Sequence, residues 1–121
     1  QLICALQPGG KLIQHQNNPG AKHRMWIGTS VPIMVTSSHH QAQYPFDMNK
    51  EDYKILGWTI QECGKHEDGE GNEMNPKIEC EVVFYKKANA LGIQPHPEWM
   101  PNDPDIKWFQ DTLIKFMNDL L

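Results

Sequence analysis

The sequence holds no apolar run near the ~20 residues that a membrane-spanning helix requires, which excludes a helical membrane span as its organising element. It has no cluster of lysine and arginine and no aromatic-basic interleaving, and its net charge is −4. A surface of that sign argues against a nucleic-acid or anionic-membrane partner. Cysteine is scarce: Cys4, Cys63 and Cys80 are odd in number and widely spaced. That pattern suits free thiols in a reducing compartment better than a disulfide framework, so the cytoplasm is the expected location. No Asn-x-Ser/Thr acceptor and no signal-peptide layout occurs.

What is present reads as a soluble globular domain. Hydrophobic residues make up 39% and charged residues 21% of the chain, a balance that distinguishes it from disordered sequences. At 121 residues it is one domain at most, with a modest core. The chain opens inside an apolar helical pattern, with Leu2, Ile3, Ala5 and Leu6 as its expected buried face. We therefore read it as a fragment whose upstream portion lies before Gln1. Pro8-Gly9-Gly10 should end that helix, since proline cannot continue it and glycine accepts a left-handed cap.

Strand signals follow. Lys11 to Gln14 is a short extended piece, and residues 16–20 have loop chemistry. Met25 to Ile27 and Val31 to Val35 are strand candidates, with Pro32 at an edge or a strand start. Ser37 to Tyr44 reads as a polar loop, and Asn49 as the cap of a short turn. Ile55 to Glu62 alternates as a half-buried strand, and Cys63 to Pro76 is a polar loop. Its acids Glu67, Asp68, Glu70 and Glu73 lack calcium-loop spacing and are read as solvated. Ile78 to Tyr85 and Leu91 to Gln94 form an expected hairpin turning at Asn89. The closing helix starts at an Asp103 cap with Pro104 in its first turn, and buries Ile106, Phe109, Leu113, Met117 and Leu120.

Chemistry concentrates at Gly92-Ile93-Gln94-Pro95-His96-Pro97-Glu98. An imidazole can deprotonate a thiol and later protonate a leaving amine, while a carboxylate orients it. Two residues apart on extended backbone, His96 and Glu98 share a face. A second constellation is Thr36-Ser37-Ser38-His39-His40-Gln41. Its polar side chains suit an amide ligand, and no cysteine or histidine joins it at zinc-ligand spacing. His15 and His23 read as solvated loop histidines. Cys4 reads as a buried structural thiol, because its neighbours are apolar.

These segments resemble the class I glutamine amidotransferase-like superfamily, nearest its peptidase C26 branch of γ-glutamyl-γ-aminobutyrate hydrolase-like proteins. The resemblance implies that His96 is the general base and Glu98 its support. It implies a substrate pocket lined by Ser37, His39, His40 and Gln41. Gln1 matches the last residue of the family's Gly-x-Cys-x-Gly-x-Gln elbow, whose cysteine is the nucleophile, and joins the substrate-binding set. Gly9-Gly10-Lys11-Leu12 matches the run that follows. This sequence departs from the pattern at Pro8, an extra residue, at His15, where relatives often carry an acid, at Thr36 in place of asparagine, and at Pro95 in place of an aromatic.

The implied fold is α/β, the C-terminal half of a three-layer αβα, flavodoxin-like domain with a mostly parallel sheet. Residues 1–121 would be a partial domain, with the cysteine and its strand upstream. The implied activity is hydrolysis of a γ-glutamyl amide, with no metal and no cofactor. Its partner is a small γ-glutamyl substrate, with a synthetase or a second copy of the chain as the macromolecular options. The alternatives from the same residues are a non-catalytic binding or scaffold module, or an ammonia-supplying subunit of a synthetase.

Overall fold

The computed structural model describes residues 1–15, 21–28, 32–37, 41–60, 66–67, 70, 72–74, 78–95 and 104–120. A one-turn helix α1 (Leu2–Ala5) opens the chain and a longer helix α2 (Pro104–Leu120) closes it. Between them run β1 (Lys11–His15), β2 (Ala21–Ile27), β3 (Ile33–Ser37), β4 (Gln41–Tyr44), β5 (Tyr53–Ile60), β6 (His66–Glu67), β7 (Glu73–Met74), β8 (Ile78–Tyr85) and β9 (Ala90–Ile93). The strands form one nine-stranded sheet in the order β3-β2-β5-β8-β4-β1-β6-β7, with β9 also on β8.

Every pairing in that sheet is antiparallel. This overturns the expectation of a three-layer αβα domain with a mostly parallel sheet. The physical reason lies in the connections. Parallel neighbours need a crossover of about a dozen residues or more, usually helical. Among the described residues the only α-helices lie at the two ends of the chain.

Chain reach also requires the sheet to curl. Ser37 ends β3 and Gln41 starts β4, four steps away along the sheet order. Four interstrand spacings in a flat sheet would span ~19 Å. The chain between those residues reaches at most ~14 Å.

β8 organises the interior, and every residue from Glu79 to Tyr85 is buried. β5 covers one edge of it along its whole length. The register shifts between Ile55 and Gly57 and again between Gly57 and Trp58, so Leu56 and Glu81 fall out of the ladder. Val82 and Phe84 then join one core with Met25, Ile27, Val35, Leu56, Phe109 and Leu113. Val83, Tyr85 and Cys80 join a second core with Cys4 and Met48. Both faces of β8 are therefore covered, which suits its apolar run from Val82 to Tyr85, while the acids Glu79 and Glu81 are buried in the same strand.

Several local expectations hold. β8 and β9 form the hairpin, with Asn89 at φ 50 in the turn. Asn49 Oδ1 accepts from the Glu51 amide at 3.2 Å. Gly9 adopts φ 79, in the left-handed region. Pro104 is the first residue of α2, while Asp103 lies outside the described residues.

Others are corrected. Leu2 and Leu6 are exposed, and Cys4 is the buried residue of α1. A single helical turn offers its inner side to few residues, and here that side belongs to Cys4. Ser37 to Tyr44 is not all loop, because Gln41–Tyr44 is a strand paired with β1. Within Cys63 to Pro76, Glu67 pairs with Glu73 across a two-strand ladder. On α2, Phe116 rather than Met117 packs against the core, and Met117 is exposed.

Candidate functional site

The second edge of β8 is shared. β4 meets it at Cys80 through Gln43, and β9 takes over from Val82 to Tyr85. The junction of β4 with β9 is where the implicated segments converge. Gln1 Nε2 donates to the Gln41 carbonyl at 2.8 Å. Gln94 Nε2 donates to the same carbonyl at 3.3 Å. Three stretches far apart in sequence thus meet at one backbone oxygen. They are the start of α1, the end of the Ser-His-His-Gln segment, and the strand end that precedes His96.

Behind this point lies a buried polar network. Tyr85 donates its phenolic hydrogen to Gln43 Oε1 at 2.6 Å. Gln43 Nε2 lies 3.1 Å from the Gly92 carbonyl and 3.3 Å from the Glu81 carbonyl, donating to both. The Gln94 amide closes the circuit onto the Glu81 carbonyl at 2.8 Å. Gly92 is what lets Gln43 pass: a Cβ there would lie 2.5 Å from Gln43 Oε1 and 2.9 Å from Tyr85 Cε2. The network fixes the end of β9 against β4, with every donor in it spent on a named acceptor.

Burial sets the electrostatics. The Cys80 thiol is pushed well above its ordinary range, first by burial and then by Cys4, Glu81 and Glu79. The Tyr85 phenol is also pushed far up, by burial first, then by a side-chain hydrogen bond with Cys4 and the neighbouring thiols. Thiolate chemistry needs the opposite shift. Cys80 is thus a structural thiol, and Cys4, fully buried with Sγ donating to the Lys11 carbonyl at 3.3 Å, is positioned as one too.

Of the sequence-derived candidates, Gln1 and Gln41 are brought together. Ser37 is the last residue of β3, opposite Ala21. His39, His40, His96 and Glu98 lie outside the described residues, as does Cys63. Gln43, Tyr85 and Gln94 were not assigned a role from sequence. Gln43 in β4 and Gln94 just past the end of β9 are both buried, which their polarity in the sequence does not signal. Among the described residues no group of three or more histidines, cysteines and acids is placed to hold a metal ion. A groove of about 340 Å³ lies along α2, lined by Gly28, Trp108, Asp111, Thr112, Lys115 and Phe116, and contains none of the candidates.

No family model, no curated protein and no solved structure matches this chain. Among the described residues no helix is long and apolar enough to cross a membrane.

Proposed function

We propose that this chain carries the base-bearing part of a Cys-His-Glu hydrolase centre, which cleaves the C–N bond of a γ-glutamyl amide. The observation that supports the reading most is the meeting of Gln1, Gln41 and Gln94 at the Gln41 carbonyl. The sequence resemblance drew pocket residues from two of those segments and the general base from the third. The reading rests on that junction and on the His-Pro-Glu segment.

In this reading a thiolate from the elbow upstream of Gln1 adds to the γ-carbonyl carbon. His96 has taken the thiol proton and delivers it to the leaving nitrogen as the C–N bond breaks. Water, deprotonated by His96, then attacks the thioester carbonyl, the C–S bond breaks, and glutamate and the thiol are released. Glu98 holds the imidazole in its productive tautomer. The His39-His40-Gln41 segment favours a free γ-glutamyl metabolite as substrate over ammonia transfer to a synthetase. A thiolate nucleophile works in a reducing compartment, and we place the protein in the cytoplasm.

The test is γ-glutamyl amide hydrolysis by the intact gene product, with His96→Ala and Glu98→Gln beside it. The reading expects glutamate release that falls by orders of magnitude in H96A and less steeply in E98Q. Equal turnover in H96A would remove His96 from the reaction.

A further inference from the structure

α2 carries a row of alternating charge on its outer side. Lys107, Asp111, Lys115 and Asp119 follow one another at steps of four residues, and all four are exposed. Residues four apart on a helix are surface neighbours, and such a row winds only slowly around the axis. Lys107 Nζ and Asp111 Oδ2 pair at 3.3 Å within the helix. Lys115 and Asp119 make no ion pair among the described residues, so the second half of the row presents its charges outward. Beside the row lies Trp108, a large apolar side chain that is 38% exposed. The groove of about 340 Å³ runs along that side, and Trp108, Asp111 and Lys115 all line it. Charge row and groove are therefore one continuous surface.

We propose that this surface of α2 is a homodimer interface, on which two copies of the chain set their charge rows side by side and antiparallel about a two-fold axis. The inference stands apart from the hydrolase reading. Its ground is that the row is its own complement: Lys-Asp-Lys-Asp read backwards is Asp-Lys-Asp-Lys. A two-fold axis brings a surface against itself in that reversed sense. With the axis between Asp111 and Lys115, Asp111 of each copy faces Lys115 of the other. Lys107 of each then faces Asp119 of the other, and no charge of the row faces its like. Rows spaced by four residues are also the ridges that interlock most often between packed helices, at a crossing of about 50°. The groove receives side chains of the facing helix, and Trp108 is covered. Burying apolar atoms there supplies affinity, while the charges set the register.

The experiment is analytical ultracentrifugation of the intact gene product as wild type, as Asp111→Lys, as Lys115→Asp, and as an equimolar mixture of the two variants. Both side chains are exposed, so the reversals leave the fold in place, and circular dichroism checks that. The wild type is expected to form a concentration-dependent dimer that dissociates as salt is raised. Each reversal alone opposes like charges twice across the axis, and should raise the dissociation constant about ten-fold or more. In the mixture the lysine introduced by D111K meets the aspartate introduced by K115D. Lys115 of the first variant also meets Asp111 of the second, so dimers return as mixed pairs. A wild type that stays monomeric at every concentration would overturn the proposal. So would a dimer that both reversals leave intact, whose interface must lie on another face. Reversals that abolish the dimer without recovery on mixing would overturn it as well.

Discussion

Tyr85 and Gln43, 42 residues apart in sequence, are joined by a 2.6 Å hydrogen bond buried between β8 and β4. Gln43 is a long polar side chain in a core position, and it is tolerated there because the partners of its amide are in place. Tyr85→Phe keeps the ring and takes the donor away from Gln43 Oε1. The expected cost is about 1–3 kcal/mol of stability, as for other buried polar groups that lose their partner. Urea unfolding of the full chain measures it. A loss near zero would mean that the bond adds nothing to holding β4 against β8.

Gly92 is where the same network approaches the backbone. Gly92→Ala would place a Cβ 2.5 Å from Gln43 Oε1 and 2.9 Å from Tyr85 Cε2. Overpacking of this kind costs about 1–3 kcal/mol. Truncating Gln43 to alanine removes the nearer obstacle, so the double variant should lose less than the sum of the singles. A double-mutant cycle on unfolding free energies decides it. Strict additivity would show that the two positions do not interact.

Gly10 gives a harsher case at the other end of the junction. A Cβ there would lie 1.9 Å from the Cys4 carbonyl oxygen, a backbone atom that cannot swing aside. Gly10→Ala must therefore displace α1, and with it Gln1. We expect destabilisation of about 3 kcal/mol or more, toward the upper end for overpacked sites. Thermal unfolding of G10A against the wild type checks it, and an unchanged midpoint would contradict the packing of α1 on β1.

Alkaline pH should weaken the fold through Cys80 and Tyr85. Both are raised from ordinary values of 9.0 and 10.0, because burial disfavours their charged forms. Above those values the unfolded chain has released protons that the folded chain keeps, so stability falls as pH rises. Their contribution is fully present below pH 9, begins to decline there through Cys80, and declines further above pH 10 through Tyr85. Cys80→Ala should flatten the first part of the decline. Unfolding free energies measured from pH 7 to 11 test the sign, and a rise in stability above pH 9 would contradict it.

Much of the scaffold was legible in the residues. The run of Ile78 to Tyr85, the turn at Asn89 and the apolar positions Phe109 and Leu113 gave the central hairpin and the closing helix their places. The parallel sheet came from the family resemblance and not from the residues, and the antiparallel pairing of the described strands contradicts it. β4 was hidden for a different reason. Gln41 and Gln43 look like loop chemistry until β8, β9 and Gln1 supply their hydrogen-bond partners, which are remote in sequence. Gln94 belongs to the motif in sequence, but its burial and its bond to the Gln41 carbonyl become visible only in the folded chain. On α2, helical spacing pointed to Met117 in the apolar stripe, and tertiary packing set Phe116 against the core instead.

The central proposal is that His96 serves as the general base of a γ-glutamyl amide hydrolase. Glutamate release from L-glutamine by the intact gene product, wild type against His96→Ala, tests it most directly. The account predicts measurable turnover that H96A lowers by orders of magnitude while the variant keeps the wild-type unfolding midpoint. Turnover unchanged in H96A, or none in the wild type, would contradict it.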